Sequence, residues 1–254
     1  MNKERKLIIA GNWKMNKTVA EALALVDDLK RDLANVKEVD IVVCPPFTAL
    51  ESVSKSILDS NLRLGAQNMS EEADGAFTGE ISSSMLRAAG VTWVLIGHSE
   101  RRQKGGETDQ LVAKKTARAM STGPRPIVCV GETLAERDAG QTLAVVERQV
   151  RAVLEALGRQ PGFGAIAYEP VWAIGTGKVA SPADAEAVHA SIREQLTRAS
   201  SALGASTRIL YGGSVKADNA AELLAQPNID GALVGGASLD AVGFGKIVEA
   251  AQRA

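Results

Sequence analysis

Ile127-Val128-Cys129-Val130 is a run of apolar residues on both faces of the strand that it predicts. Strands of a parallel sheet are covered on both faces and have this composition, whereas half-exposed antiparallel strands alternate apolar and polar residues. Further apolar runs of similar length are spread along the chain at Leu7–Ala10, Ile41–Cys44, Leu62–Ala66, Val91–Ile96, Ala165–Tyr168, Ile209–Tyr211 and Ala232–Val234. Together with the first run, they predict eight strands of a parallel sheet.

The segments between the predicted strands have helical periodicity. Apolar residues recur every three or four positions from Val19 to Leu33 and from Leu143 to Leu157. Ser181-Pro182 is typical of an N-cap and a first helical residue, which predicts a helix from there to about Leu203. Eight strand–helix repeats in 254 residues, without a Pro-, Gly- or Ser-rich linker, predict one (β/α)8 barrel domain spanning residues 1–254. An open doubly wound sheet of six or seven strands is the alternative.

Composition and charge exclude several classes of protein. With 45% hydrophobic and 23% charged residues the chain is not disordered. Because 29 basic residues nearly balance 30 acidic ones, the chain has no overall positive electrostatic field that would attract nucleic acid or an acidic membrane. The apolar runs are too short to span a bilayer, and Leu7–Ala10 is too short for an export signal. The two cysteines, Cys44 and Cys129, form no disulfide or zinc pattern, so we expect no metal and a reducing, cytoplasmic compartment.

Residues with reactive side chains follow three of the predicted strands. The C-terminal ends of barrel strands converge on one mouth, where barrel enzymes place their reactive groups. Lys14 follows the first strand, His98 the fourth and Glu169 the sixth. A carboxylate among apolar residues, as at Glu169, is either paired with a cation or a base with raised proton affinity. Free N–H groups of a helical turn beginning at Ser99 would donate to one nitrogen of His98, which keeps the imidazole neutral and directs its other N–H into the mouth.

Two Gly-Gly pairs, Gly212-Gly213 and Gly235-Gly236, end the seventh and eighth predicted strands. Glycine lets backbone N–H groups approach an anion closely, and loops in these two positions commonly bind phosphate in barrels. A single Gly-Gly pair is more often only a turn. Two matched pairs on adjacent strand ends instead predict a site for one phosphate.

A glycine-rich stretch after Glu169 spells G-x-G-x-x-A from Gly175 to Ala180, but it lacks the strand-to-helix position of a dinucleotide-binding loop. We interpret it as a mobile lid with a hinge at each end and a small tip. An ordinary glycine-containing loop is the alternative. The lid residues are Pro170, Val171, Trp172, Ala173, Ile174, Gly175, Thr176, Gly177, Lys178, Val179 and Ala180.

The stretch from Gly97 to Arg101 approaches a G-x-S-x-G nucleophile elbow, but Arg101 stands where the final glycine is needed. A hydrolase would also need His189 as its base. His189 lies within a predicted helix, far from any strand end, so we expect it at the surface or in packing.

Taken together, the motifs resemble the triosephosphate isomerase family from end to end of the chain. The resemblance is carried by Gly11–Asn16, Gly65–Asn68, Gly75–Ser82, Ile96–Arg102, Cys129–Leu134, Ala167–Gly177, Tyr211–Val215 and Leu233–Ala237. It implies a TIM barrel and an isomerase of glycolysis and gluconeogenesis. The reaction that it implies is the interconversion of dihydroxyacetone phosphate and D-glyceraldehyde 3-phosphate, by proton transfer through an enediolate and without a cofactor or metal.

The same resemblance implies a role for each site residue. Glu169 is the base that moves a proton between adjacent carbons, and His98 is the neutral electrophile that polarises the carbonyls. Lys14 with Asn12 binds substrate and offsets negative charge. The implied phosphate donors are Gly175, Ser214, Gly235 and Gly236, and the apolar residues against the base are Ile174 and Leu233.

The family is usually a homodimer, and the resemblance places Thr78, in the loop 68–80, near Asn12 and Lys14 of the partner subunit. Two departures from the family pattern bear on that interface. Where bulky apolar or aromatic residues are common, this chain has Gln103-Lys104-Gly105-Gly106, and its loop tip, residues 69–74, is unusually acidic. The sequence therefore leaves the strength of the interface open.

Two other functions are compatible with a phosphate-binding barrel. One is an enzyme acting on a different sugar phosphate or an indole phosphate. The other is a sensor or scaffold that binds a phosphate ligand without chemistry, although no acidic or basic tail or exposed apolar stretch supports it.

Overall fold

The computed structural model describes residues 5–174 and 180–254. Its eight strands pair in chain order, all in parallel, and the last closes on the first to form a barrel. The strands are β1 (Leu7–Asn12), β2 (Val39–Cys44), β3 (Leu62–Ala66), β4 (Trp93–Ile96), β5 (Arg125–Val130), β6 (Ala165–Tyr168), β7 (Arg208–Tyr211) and β8 (Gly231–Val234). The predicted TIM barrel is confirmed, and the open doubly wound sheet is wrong.

Helices follow the strands and cover the outside of the barrel. They are α1 (Val19–Leu33), α2 (Leu50–Ser56), α3 (Ser83–Ala88), α4 (Ser99–Gly105), α5 (Asp109–Thr122), α6 (Leu134–Asp138), α7 (Thr142–Gly158), α8 (Pro182–Ala199), α9 (Ser201–Ser206), α10 (Ala220–Leu224) and α11 (Ala241–Arg253). Short 3₁₀ segments occupy Phe47–Ala49, Val171–Ala173 and Gly236–Leu239. The helices predicted from the periodicity at Val19–Leu33 and Leu143–Leu157 are α1 and α7.

The helix predicted from Ser181 to about Leu203 is interrupted. Ser181 caps α8 and Pro182 is its first residue, as predicted. The chain then leaves the helical conformation at Ser200, whose φ of −166° and ψ of 133° are extended, before α9 begins. The two helices pack closely at this break. A Cβ at Gly204 would lie only 2.1 Å from Oγ1 of Thr197, so the position has no room for a side chain. The prediction of one continuous helix is therefore wrong.

Strand residues alternate between two apolar layers. One buried cluster fills the barrel and consists of Ile8, Ala10, Val42, Cys44, Trp93, Leu95, Ile127, Cys129, Ala165, Ala167, Leu210 and Leu233. Their neighbours along the strands, such as Ile9 and Val128, belong to a second cluster that packs against the helices. Successive strand side chains point to opposite faces, so a strand that is covered on both sides is apolar throughout.

The carboxyl ends of the strands meet at one end of the barrel, where the loops that carry the candidate site residues begin. In the part of the chain that the structure describes, no helix is both long and apolar enough to cross a membrane.

Candidate active site

One cleft of about 530 Å³ at the mouth of the barrel brings the predicted site residues together. Loops after β1, β4, β6, β7 and β8 supply its walls. The predicted residues that line it are Asn12, Lys14, His98, Glu169, Ile174, Ser214, Leu233, Gly235 and Gly236. Gly175, the remaining predicted phosphate donor, lies outside the described residues.

The carboxylate of Glu169 is almost completely buried, and each of its two oxygen atoms has a polar partner. Its Oε2 accepts a hydrogen bond from the backbone N–H of Ser99 at 2.9 Å, and its Oε1 lies 3.0 Å from Nε2 of His98. Burial raises the pKa of Glu169, but His98 and the Ser99 N–H lower it by a larger amount. The pKa of Glu169 therefore lies below its usual range. The raised proton affinity that its apolar neighbours suggested is not found in this arrangement, because His98 and the Ser99 N–H together outweigh the effect of burial.

His98 is the N-cap of α4 and accepts a hydrogen bond from that helix. The backbone N–H of Glu100 donates to Nδ1 at 3.2 Å, as expected for a helical turn that begins at Ser99. Nδ1 must be unprotonated to accept, so the proton of the neutral ring is on Nε2, which faces Glu169. Burial lowers the pKa of His98, and the charge and hydrogen bond of Glu169 raise it above its ordinary value. The charge state of this ring therefore depends on where the Glu169 carboxylate is.

Lys14 is held in a left-handed conformation, with φ of 52°. Its backbone N–H donates to Oδ1 of Asn12 at 3.0 Å, and its carbonyl accepts from Nε2 of Gln67 at 2.8 Å. These bonds offset the strain of a positive φ in a residue with a side chain. The ammonium group pairs with Oε1 of Glu100 at 2.8 Å, which places a fixed cation beside the imidazole of His98.

The two Gly-Gly pairs have different roles. A Cβ at Gly212 would lie 2.8 Å from Cγ of Glu169, and one at Gly213 would lie 2.3 Å from the hydroxyl of Tyr211. The first pair therefore leaves room for neighbouring side chains.

The second pair leaves backbone donors available in the cleft. Among the described residues, the N–H groups of Ser214, Gly235 and Gly236 donate to no backbone carbonyl. These three N–H groups are suited to an anion, whereas the N–H of Gly212 donates to the Tyr168 carbonyl at 2.7 Å.

Glu132, at the end of β5, is a functional candidate that the sequence reasoning missed. It is fully buried and accepts hydrogen bonds from the Tyr168 hydroxyl at 3.1 Å and from the Trp172 indole N–H at 2.8 Å. The guanidinium of Arg137 stacks 3.8 Å from the centre of the Trp172 ring. This network holds the N-terminal part of the predicted lid. The available signal was an acidic residue shortly beyond a buried strand: Glu132 follows β5 after one glycine, whereas Glu169 directly follows β6.

The predicted lid is described only in part. Val171–Ala173 form a 3₁₀ turn after Pro170, and Ile174 lines the cleft. Ala180, at the other end, is buried. Gly175, Thr176, Gly177, Lys178 and Val179 lie outside the described residues, so lid motion remains a prediction.

His189 is fully buried in α8 between Tyr168 and Tyr211 and does not line the cleft. The expectation of a packing role is confirmed, whereas a surface position is wrong. Burial lowers the pKa of His189 to about 3, so this ring is neutral. A hydrolase that uses it as the base for Ser99 is not supported.

Comparisons with known proteins agree with this geometry. The sequence profile of the family described as "Triosephosphate isomerase" matches residues 7–251. A relative from Chloroflexus aurantiacus, named triosephosphate isomerase, is 56% identical over 243 residues, which cover 95% of this chain and 97% of the relative. Relatives of the same name from Moorella thermoacetica and Endomicrobium trichonymphae are 56% and 52% identical, over 96% of this chain and 98% of each relative.

Proposed function

The chain belongs to the triosephosphate isomerase family, and from this premise we propose that Glu169, His98 and Lys14 carry out its reaction. The chain is an isomerase of glycolysis and gluconeogenesis that interconverts dihydroxyacetone phosphate and D-glyceraldehyde 3-phosphate. The observation that supports the residue assignment is the 3.0 Å contact between Nε2 of His98 and Oε1 of Glu169, in the cleft that also holds Lys14.

Glu169 is the base. Its pKa is lowered by His98 and the Ser99 N–H, so it is ionised before substrate binds. To reach a substrate carbon it leaves the Ser99 N–H, which removes one of the bonds that stabilise its charge. Its proton affinity then rises, because burial among apolar residues persists. The carboxylate takes a proton from one substrate carbon and returns it to the adjacent one.

His98 is the electrophile. Its Nε2–H group donates to Glu169 in this structure, and a substrate carbonyl oxygen takes that place when the carboxylate moves. Negative charge develops on this oxygen as the enediolate forms. A donor already aimed at that position stabilises such charge by about 3–4 kcal/mol.

Lys14 adds a positive charge next to the same oxygen atoms. Its salt bridge to Glu100 and the bond from its backbone to Asn12 keep the ammonium group at the edge of the cleft. From this position the ammonium group attracts an anionic substrate and the enediolate. Asn12 adds polar contacts to the substrate. The reaction as proposed uses no cofactor and no metal.

The phosphate of the substrate binds to the backbone N–H groups of Ser214, Gly235 and Gly236, together with Gly175. Lid closure over this phosphate excludes water, which strengthens every electrostatic interaction with the enediolate and protects this intermediate from side reactions. Phosphate is remote from the reacting carbons, so its binding energy is available to drive closure.

We further propose a homodimer in the cytoplasm, in which Thr78 approaches the site of the partner subunit. Thr78 is exposed in this chain, within a loop of exposed residues. Cys44 and Cys129 are both free, buried thiols, as expected in a reducing compartment.

Solvent-isotope exchange tests the function. The purified chain is incubated with dihydroxyacetone phosphate in deuterated water, and deuterium incorporation at carbon is followed by NMR. We expect incorporation together with formation of glyceraldehyde 3-phosphate. Turnover only of larger sugar or indole phosphates would indicate a different enzyme, and binding of a phosphate analogue without exchange would indicate a sensor.

A further inference from the structure

A second cavity, of about 340 Å³, lies on the other side of Glu169 from the cleft at the barrel mouth. Helix α4 and the start of α5 form one wall of this back cavity, and the segments that follow β5 form the other. Glu169 lines both spaces, whereas Ser99 lines only the back cavity and His98 lines the cleft but not the back cavity. The two oxygen atoms of the carboxylate therefore face different spaces. Oε1 is directed to His98 and the cleft, and Oε2 to Ser99 and the back cavity.

The back cavity is polar and has room for water. Its volume is far larger than the roughly 30 Å³ that one water molecule takes up in the liquid. The side-chain amide of Gln149 is fixed in its wall by bonds to the N–H and the carbonyl of Gly131, at 2.7 and 3.2 Å. Glu107 lies in the same wall and is buried, and its Oε2 has no hydrogen-bond partner among the described residues. A buried carboxylate oxygen is normally satisfied, and water is the donor that a polar cavity of this size supplies.

The rim of the back cavity is exposed to solvent. Gln103 on α4 and Gln110 on α5 line the cavity, and both are exposed. Arg148 on α7 completes the rim with a side chain that is 59% exposed and that is held by Asp109 at 2.9 Å. Solvent can therefore reach the Ser99 side of the carboxylate without passing through the cleft.

We propose that the back cavity is the route by which the carboxyl proton of Glu169 exchanges with solvent during turnover. This inference rests on the proposed role of Glu169 as the base. When the carboxylate takes the proton, a C–H bond of the substrate breaks and an O–H bond forms. On return of the carboxyl group to its position beside Ser99, that O–H bond breaks and the proton passes to a water molecule in the back cavity. Another water molecule supplies a new proton to the carboxylate, which delivers it to the adjacent carbon.

The cleft does not serve as this route while substrate is bound. Substrate occupies it next to His98 and Lys14, and lid closure as proposed above excludes water from it. A base between two spaces thus keeps the enediolate dry on one side and meets water on the other. Exchange with solvent competes with direct return of the proton to the neighbouring carbon. The share of each is set by how freely water enters the back cavity.

The isotopic composition of the product measures this share. The full chain converts unlabelled dihydroxyacetone phosphate in deuterated water, the product is trapped as it forms, and NMR gives the fraction that retains protium from the substrate. Gln110→Trp and Gln103→Trp each narrow the rim from a different helix. We expect each to raise the retained fraction at least about 2-fold, because proton leakage to water is hindered, with little change in kcat.

Two further variants serve as controls, and circular dichroism checks that each protein is folded. Gln110→Ala widens the rim, and we expect it to lower the retained fraction. Gln160→Trp introduces the same indole at an exposed glutamine that lines neither space, and we expect it to leave the fraction unchanged.

The outcomes separate this inference from the proposed function. An unchanged protium fraction in both rim tryptophan variants, with turnover retained, would overturn the route and leave Glu169 as the base. A rise in Gln110→Ala, or a rise in Gln160→Trp equal to that in the rim variants, would also overturn it. A lack of turnover in the unchanged chain would instead overturn the proposed function itself.

Discussion

Nε2 of His98 lies 3.0 Å from Oε1 of Glu169, so the proposed electrophile and the proposed base contact each other. The first turn of α4 holds both, because the Ser99 N–H donates to Oε2 of Glu169 and the Glu100 N–H donates to Nδ1 of His98. In the proposed mechanism a substrate carbonyl and the carboxylate therefore compete for the same imidazole N–H, so that substrate binding and movement of the base are one event.

Shortening the base by one methylene tests its position. We expect Glu169→Asp to lower kcat on the order of 10²-fold or more, because the carboxylate is drawn back from the carbon while the fold is kept. Steady-state kinetics measure the change, with thermal unfolding and binding of a phosphate analogue as controls. Near-normal turnover would remove Glu169 from the mechanism.

Replacing the imidazole separates electrophilic catalysis from binding. His98→Gln retains a polar side chain but not the oriented ring N–H that the Glu100 backbone fixes. We expect kcat to fall far more than the affinity for substrate, since the lost bond strengthens only as charge develops. Equal losses in kcat and in affinity would assign His98 to binding alone.

Titration of His98 tests what sets its charge. Burial lowers its pKa and the Glu169 carboxylate raises it, so removing that charge in Glu169→Gln leaves burial dominant. We expect the pKa of His98, followed by NMR of the labelled imidazole, to be lower in the variant than in the unchanged chain. His189, with a pKa of about 3, is an internal reference that does not titrate between pH 5 and 9. An unchanged or higher pKa at His98 would contradict this account.

The sequence predicts the barrel and the grouping of the candidate site residues in one cleft, because both depend on local patterns. Strands such as β5 are apolar on both faces, because one face lies inside the barrel and the other packs against the helices. Reactive residues that follow such strands are easily recognised in the sequence. Position after a predicted strand was sufficient to group His98, Glu169 and Lys14 in one site.

Features that depend on contacts across the fold could not be predicted in this way. The pKa of Glu169 is lowered mainly by the charge and hydrogen bond of His98 and also by the Ser99 N–H of α4, which is 70 residues away in sequence. Glu132 contacts the start of the predicted lid because β5 and β6 are neighbours, which brings Tyr168 and Trp172 to it. The break between α8 and α9 arises where Gly204 packs against Thr197, and periodicity does not register such packing.

The Tyr168 hydroxyl stabilises a buried charge. Its removal in Tyr168→Phe leaves the fully buried Glu132 carboxylate with one hydrogen bond fewer. We expect a loss of about 1–3 kcal/mol in the free energy of unfolding, measured by urea denaturation. Tyr211→Phe is the matched control, since Tyr211 ends the adjacent strand and its buried hydroxyl donates to no carboxylate among the described residues. Similar losses in both variants would assign the effect to packing.

His189 makes the stability of the fold depend on pH. Its Nδ1 lies 3.2 Å from the Asn228 carbonyl, which can only accept, so Nδ1 carries the proton of the neutral ring. Burial lowers the pKa from 6.5 to about 3. Between these values the unfolded chain binds one proton more than the folded chain at this site. The free energy of unfolding therefore falls as pH falls, by about 1.4 kcal/mol per pH unit from this residue once the pH is well below 6.5.

The variant His189→Asn isolates this contribution, because its side-chain amide can still donate to the Asn228 carbonyl but does not titrate. We expect the variant to be less stable at pH 7, since the ring contacts with Tyr168 and Tyr211 are lost. This difference in stability should shrink by about 2 kcal/mol between pH 7 and pH 5, as only the unchanged chain loses stability through this residue. Urea denaturation at both pH values measures it. A difference that stays constant over this range would show that the ring is not held neutral by burial.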